Sequence, residues 1–457
     1  MPIIFIILAI YMIGMVAVGV YGRRYATTFD DSIRAGGRSG ILMVAGSAIG
    51  AQIGSGFVVG GGENGALMGL GGAWYGIGCG FAYLVGGLIL TKYFYRHKYV
   101  SLAGFFEDRY GSKNLRIINS GTNFFSAISG MAAQILASKA IFIAFGFDGN
   151  IGVIITAIVV LIYVALGGLW SAYVTSAIQT GIIVVGLLFT IIFLFSQGAW
   201  GEITAGGLPE TAFDMTSIGP EMIAAMTLPL LLSVFVDPAT FQRIASAKSQ
   251  KDAYLGHILC GAVLFVFAFF PVIIGMYGRV LFPEAEASAV FMQVLITKLS
   301  PVIAGLMIAA ILAAIMSSCD GSLVVCSTMV VNDLYKELIN PKASDKLLKG
   351  ISYVIYVVVT IASILIALAF NNIISLLSMT YTILQSGCLI PFVGGLVWKR
   401  ATAQGAALSS ILGISTSLLI MAGLIAPPYS SVFPLLPALI GFIVGSLFSK
   451  PKAAGAE

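Results

Sequence analysis

Residues 46–72 read GSAIGAQIGSGFVVGGGENGALMGLGG, and this stretch decides what the chain can build. It sits inside an apolar run long enough to cross a bilayer, yet eleven of its twenty-seven residues are glycine. Each glycine in a helix interior costs about 1 kcal/mol relative to alanine. Two readings account for such a run in lipid. Small residues let helices approach closely, or the helix is interrupted where its backbone lines a cavity. A phosphate-binding loop is excluded, because no G-x-x-x-x-G-K-[ST], preceding strand or βαβ pattern accompanies the glycines.

The surrounding composition makes lipid the solvent. Of 457 residues, 59% are hydrophobic and 9% charged, whereas soluble globular chains carry about 25% charge. A net charge of +5 spread over the whole chain does not make a nucleic-acid binder. The cysteines Cys79, Cys260, Cys319, Cys326 and Cys388 are scattered singly. They read as packing residues, neither a disulfide framework nor a metal site. His97 and His257 are assigned to basic polar stretches outside the apolar runs, which removes most histidine-based catalysis and metal chemistry. No organic cofactor and no obligatory protein partner is expected.

A spanning helix needs about 20 mostly apolar residues. This predicts an all-α integral membrane protein of about 13 transmembrane helices, at 2–21, 40–62, 66–91, 117–145, 150–167, 172–196, 221–241, 254–278, 300–332, 351–370, 372–398, 403–424 and 432–448. The first span is not read as a cleaved leader, since Arg23 and Arg24 follow it and no basic residue precedes it. Lysine and arginine fall in alternate loops, among them Arg34, Arg96, Arg109, Arg243, Lys248, Lys336 and Lys399. Only Lys139, Arg279 and Lys298 fall elsewhere. The asymmetry predicts a cell-membrane protein with its N-terminus outside and its C-terminus in the cytoplasm.

The seventh span carries Pro229 and the pair Asp237–Pro238, a second interruption. With the first span set aside, the two interrupted spans each begin a group of five. Inverted-repeat carriers place their unwound helices there, with free carbonyls facing ion and solute. The expected organisation is one extra helix (2–21), a first five-helix repeat (40–196), a second (221–398) and two C-terminal helices (403–448).

The ninth span, AAILAAIMSSCDGSLVVCSTMVVNDLYK (Ala309–Lys336), resembles the sodium:solute symporter family, as do GGLWSAYVTSAIQTGIIVVG (Gly167–Gly186), DPATFQR (Asp237–Arg243) and PFVGGLVWKRATAQGA (Pro391–Ala406). No one piece is specific; the ordered set is. The family includes carriers of proline, pantothenate, sugars, sialic acid and choline. The resemblance implies the leucine-transporter-like 5+5 inverted-repeat fold and a sodium site between the first and eighth core helices. Its ligands would be carbonyls of Gly50 and Ile53, the carbonyl of Ala314, and the hydroxyls of Ser317 and Ser318. Neutral oxygens can replace the water shell of a hard cation. Serines in a membrane helix otherwise bond back to the carbonyl four residues earlier.

The chain departs from the family at Thr175-Ser176-Ala177-Ile178-Gln179, where Ser176 replaces an aspartate used by some members for a further sodium. Asp320 lies one turn beyond Ser317 instead, and an intramembrane carboxylate is a candidate ion or proton site by default. Solute contacts are expected among Gln52, Phe57, Trp74, Tyr75, Gln134, Ser233, Ser378, Thr382 and Gln385. The aligned segments lack the acidic and lysine contacts of the sugar carriers. A small amino acid, carboxylate or quaternary amine therefore remains open as the solute. The leading expectation is sodium-coupled symport by alternating access. The alternatives are a proton-coupled carrier using Asp320, or a transporter-like sensor, which would be expected to bear a fused signalling domain that residues 1–457 do not show. A membrane-embedded hydrolase would need a nucleophile–base pair within the spans.

Overall fold

A computed structural model of the protein describes residues 2–22, 38–97, 99, 102–144, 147–370 and 373–449. Strand pairing among these is limited to one bridge, Ser39 with Ala247. The rest is helix and connection. Helix α1 spans Pro2–Gly22, and the glycine-rich stretch then forms α2 (Ile41–Gln52) and α3 (Ser55–Met68). Between them the chain leaves helical geometry at Ile53 and Gly54, the latter extended at φ −95° and ψ −157°. A Cβ on Gly54 would lie 2.6 Å from Ser318 Oγ and 2.7 Å from Gln134 Oε1. The glycine is there for close approach, not for a left-handed turn.

The left-handed turn comes at Gly69, whose φ of 60° ends α3. A 3-10 turn over Gly69–Ala73 leads into α4 (Trp74–His97). The third span therefore starts eight residues later than the expected 66, because 66–68 still belong to α3. Apolar periodicity does not reveal where a glycine changes sign of φ.

Helix α5 (Leu102–Tyr110) precedes the long α6 (Lys113–Ala144). Helix α7 (Gly149–Ser196) contains two apolar stretches of single-span length, 149–166 and 178–196. After the short α8 (Ala199–Ala205) come α9 (Gly219–Ser233) and α10 (Pro238–Ser246), bent by 46° across their break. Asp237 caps α10, its carboxylate accepting from Ala239 N at 3.2 Å, Thr240 N at 3.0 Å and Thr240 Oγ1 at 2.7 Å. Pro238 at the first turn needs no hydrogen bond there. Helices α11 (Gln250–Phe267) and α12 (Phe269–Leu281) form one span, followed by the short α13 (Ala287–Lys298). Helix α14 (Pro301–Ser327) continues as a π-helix over Thr328–Ile339, and α15 (Asp345–Ala369), α16 (Ile373–Val397), α17 (Ala403–Met421) and α18 (Leu435–Leu447) complete the chain.

Among the described residues nine helices are long and apolar enough to span a bilayer, ten with the bent pair counted as one. Shorter apolar helices lie at Ile6–Val18, Ile41–Gln52 and Leu435–Leu447. The expected count of thirteen is not recovered by length and composition, because breaks shorten some spans and the turn at 69–73 fuses others. Helix α14 is the centre of the bundle, packed on α1, α6 and α7. Its apolar window is 78% buried, against 33% for α15.

The basic loops gather at one end. Arg109 donates to the carbonyls of Gly395 (2.7 Å) and Trp398 (3.0 Å), neutralising the carbonyl terminus of α16. Tyr95 donates to Lys248 O at 2.9 Å, and Arg116 pairs with Glu107 and reaches Asp333 O at 3.4 Å. One histidine corrects the sequence reading. His97 is exposed at the end of α4, but His257 is fully buried on α11, stacked 5.8 Å from the Tyr83 ring. Its Nδ1 faces Ala253 O at 2.8 Å. Lys248 and Lys251 make the start of α11 look polar, yet the turn that bears His257 faces inward.

Candidate ion and solute site

The break between α2 and α3 strips the last carbonyls of α2 of helical partners. Helix α14 meets them with two adjacent hydroxyls. Ser317 Oγ donates to Gly50 O, and Ser318 Oγ donates to Ala51 O at 2.8 Å and to Ala314 O at 3.2 Å. Four expected residues, Gly50, Ala314, Ser317 and Ser318, therefore converge. The carbonyl facing Ser318 is that of Ala51; Ile53 is the C-cap residue of α2, with its own N–H bonded to Ile49 O at 2.8 Å. Every donor atom in the cluster is a neutral oxygen, the set a hard monovalent cation takes. No group of three or more histidine, cysteine, aspartate or glutamate side chains among the described residues could hold a metal.

Asp320 is 1% exposed, one turn along α14. Tyr163 of α7 shares its hydroxyl between Asp320 Oδ2 (3.3 Å) and Met316 O (3.1 Å). The side chain of Ser176 lies outside the described residues. Nearby, Gln179 donates to Tyr11 OH at 2.9 Å, and Thr180 Oγ1 donates to Gly46 O at 2.6 Å. Helix α1, set aside in counting the repeats, is thus keyed into the polar region around Asp320. Tyr163 had no signal in the sequence, being one tyrosine in an apolar run.

Two cavities flank the break. One, of about 140 Å³, runs from Ser318 toward the basic end and is lined by Gln52, Gln134, Ser233, Asp237 and Arg243 among others. The other, of about 250 Å³, is mostly apolar, with Met68, Met222 and Met226 beside Asn64 and Tyr75. Leu230, Leu377 and Tyr381 border both. The hydroxyls of Tyr75 and Tyr381 are hydrogen-bonded to each other, so these residues form a septum. Gly56 sits against it, where a Cβ would meet Leu377 Cδ1 at 2.6 Å and Tyr75 OH at 2.9 Å.

Toward the basic end, Tyr83 OH accepts from Gln52 Nε2 and from Arg243 Nη1, each at 3.1 Å. The sequence places Arg243 among the loop charges; in the structure it is buried in the cavity wall. Other expected solute contacts fall away from these two cavities. Phe57 is packed in the core, and Trp74 Nε1 is tied to Met215 O at 2.8 Å. Gln385 Nε2 is tied to Ser431 O at 2.6 Å, and Thr382 is buried without lining either space. The side chain of Ser378 lies outside the described residues.

Comparison with known proteins bears on this arrangement. The model of the sodium:solute symporter family matches residues 32–413. The osmoregulated proline transporter OpuE of Bacillus subtilis (strain 168) is 26% identical, over 99% of this chain and 96% of that protein. The sodium/proline symporter of Escherichia coli (strain K12) is 26% identical over 98% and 93%. The sodium/pantothenate symporter of Haemophilus influenzae is 27% identical over 74% and 72%. Among solved structures, a substrate-bound, outward-open Na+-coupled sialic acid symporter superposes with a TM-score of 0.81 at 21% identity, over 98% of this chain and 99% of that one. At that identity the likeness speaks for the fold.

Proposed function

The chain belongs to the sodium:solute symporter family, and from that premise we propose which solute class it carries and which residues couple it to sodium. It is a multi-pass membrane transporter of the leucine-transporter-like fold, not an enzyme. The solute is a small amino acid, carboxylate or quaternary amine, with proline the first to test because named relatives carry it. The observation that carries the coupling is the pair Ser317 and Ser318 against the carbonyls of Gly50 and Ala51.

Sodium would be held by those oxygens with Ala314 O, and Ile53 O is the further carbonyl of the expected set. The hydroxyls that now donate to carbonyls would turn their lone pairs to the ion. The ion then ties the broken helix to α14. Movement of its charge down the membrane potential contributes about 2.3 kcal/mol per 100 mV. Alternating access would open the Tyr75–Tyr381 septum in one state and the Gln52–Tyr83–Arg243 contact in the other. The repeats are read as 40–196 and 221–398, with 2–21 before and 403–448 after. The gathering of lysine and arginine supports a cytoplasmic basic end, an external N-terminus and a cytoplasmic C-terminus. No organic cofactor or obligatory protein partner enters this reading.

A second reading, which the comparisons do not favour, rests on the buried Asp320 under the Tyr163 hydroxyl. A proton on that carboxylate would compete with sodium for the same charge. The test of both is uptake by proteoliposomes of a labelled panel, including proline, pantothenate and choline, with sodium and proton gradients imposed separately. Sodium-driven uptake of one panel member supports the first reading. Uptake driven by protons alone replaces it with the second, and uptake indifferent to both gradients overturns the two together.

A further inference from the structure

One face of α6 carries Arg116, Asn119, Asn123, Ser126, Gly130 and Gln134, a ladder spaced by three and four residues. Its upper rungs, from Asn123 to Gln134, line the cavity that starts at Ser318. Facing them are Ser318, Ser322 and Val325 of α14 and Thr380 and Leu384 of α16, at the same helical spacing. The cavity stops at Asn123, Val325 and Leu384, but the ladder continues one turn to Asn119 and then to Arg116 at the basic end.

Asn119 Nδ2 donates to Cys388 Sγ at 3.1 Å; Asn123 Nδ2 donates to Asn119 O at 2.9 Å and lies 3.9 Å from the same sulfur. The amide nitrogens are therefore engaged, while both side-chain oxygens, Asn119 Oδ1 and Asn123 Oδ1, find no hydrogen-bond partner among the described residues. The two residues are 1% and 2% exposed. An unmet buried amide oxygen is destabilising, because it has lost its water partner without gaining another. Two of them one turn apart, on a polar stripe that starts beside the sodium-ligand cluster, are acceptors waiting for a donor or a cation.

We propose that Asn119 and Asn123 form a second, transient sodium site on the exit path to the basic end, where amide oxygens take the ion after it leaves Ser317 and Ser318. The site rests on the sodium-symport reading, and its neutral oxygens would bind weakly enough to release the ion to water. Cys388 closes the path from the α16 side and reports its occupancy.

The experiment is alkylation of Cys388 by a membrane-permeant maleimide in inside-out vesicles bearing the full-length protein, read by peptide mass spectrometry in sodium chloride against choline chloride. Sodium should slow alkylation several-fold in the wild type. The protection should persist when Ser317 and Ser318 are both replaced by alanine, which disables the first site, and disappear in Asn119→Leu. Asn119→Asp keeps the shape and adds charge, so its protection should appear at lower sodium; it also serves if the leucine variant does not fold. Protection that vanishes in the double serine variant belongs to the first site and overturns the proposal while leaving sodium symport intact. Protection that survives in Asn119→Leu, or a Cys388 that never reacts, overturns it as well. Sodium-driven uptake in the wild type, measured alongside, separates failure of this site from failure of the symport reading.

Discussion

The hydroxyl of Ser318 stands 2.8 Å from the carbonyl of Ala51, across the break between α2 and α3. Its second contact, 3.2 Å to Ala314 O, is the ordinary back-bond of a helical serine. One hydroxyl is therefore divided between its own helix and the broken one. Anything that withdraws it from the carbonyls loosens the broken helix unless it supplies a bridge of its own. A cation held at the proposed site would do so, and ion occupancy would then be tied to the position of α2.

Replacing Ser317 and Ser318 together by alanine would remove two of about five oxygens of the proposed sodium site. At about 1.5 kcal/mol for each charge-assisted contact, sodium half-saturation should rise on the order of 100-fold. Sodium titration of solute uptake measures it. An unchanged half-saturation would remove both serines from the ion site.

Gly54 and Gly56 have no room for side chains: a Cβ at the first meets Ser318 and Gln134, and at the second Leu377 and Tyr75. Gly56→Leu should impair transport more than it impairs insertion. The comparison is surface abundance against uptake rate in the same membranes. Normal uptake would mean that the septum does not close on this residue.

Asp320→Asn keeps the shape of a buried side chain and removes its charge. If Asp320 serves the ion site as proposed, protons and sodium compete for that charge, and sodium affinity should weaken as pH falls. In the variant the dependence should flatten and sodium affinity should be lower throughout. Sodium titrations between about pH 5.5 and 8, spanning the upper tail of carboxylate values, decide it. Superimposable profiles would make Asp320 a structural partner of Tyr163 and nothing more.

Asp237→Ala removes the cap of α10, at a cost of about 1 kcal/mol. Asp237→Asn, also a good cap, should recover most of it. Thermal denaturation in detergent compares the three proteins. If the asparagine variant is as unstable as the alanine variant, the carboxylate acts through its charge and not through the cap.

Both helix breaks were legible because glycine and Asp–Pro report directly on backbone conformation. The Ser317–Ser318 pair was legible only by resemblance, since a serine bonded back to its own helix reads the same in sequence. Register was harder. The carbonyls that face the two serines are those of Gly50 and Ala51, while Ile53 O stays in the proposed set, and a break shifts carbonyl directions in ways residue type does not record. Tyr163 and His257 came to light only in three dimensions, because which turn of a helix faces inward depends on its neighbours. The short α5 and α13 have too few turns to show a clear period in the sequence.

The bond from Gln179 to Tyr11 has a consequence for how the molecule is made. Its two ends are 168 residues apart. At a synthesis rate of about 5–20 residues per second, the first helix enters the membrane on the order of 10–30 s before its partner exists. Through that interval the tyrosine hydroxyl lacks the amide it is bonded to in the folded protein. Helix α1 is thus early to insert and late to dock, and a ribosome stalled before residue 179 should leave it open to crosslinking from the lipid side.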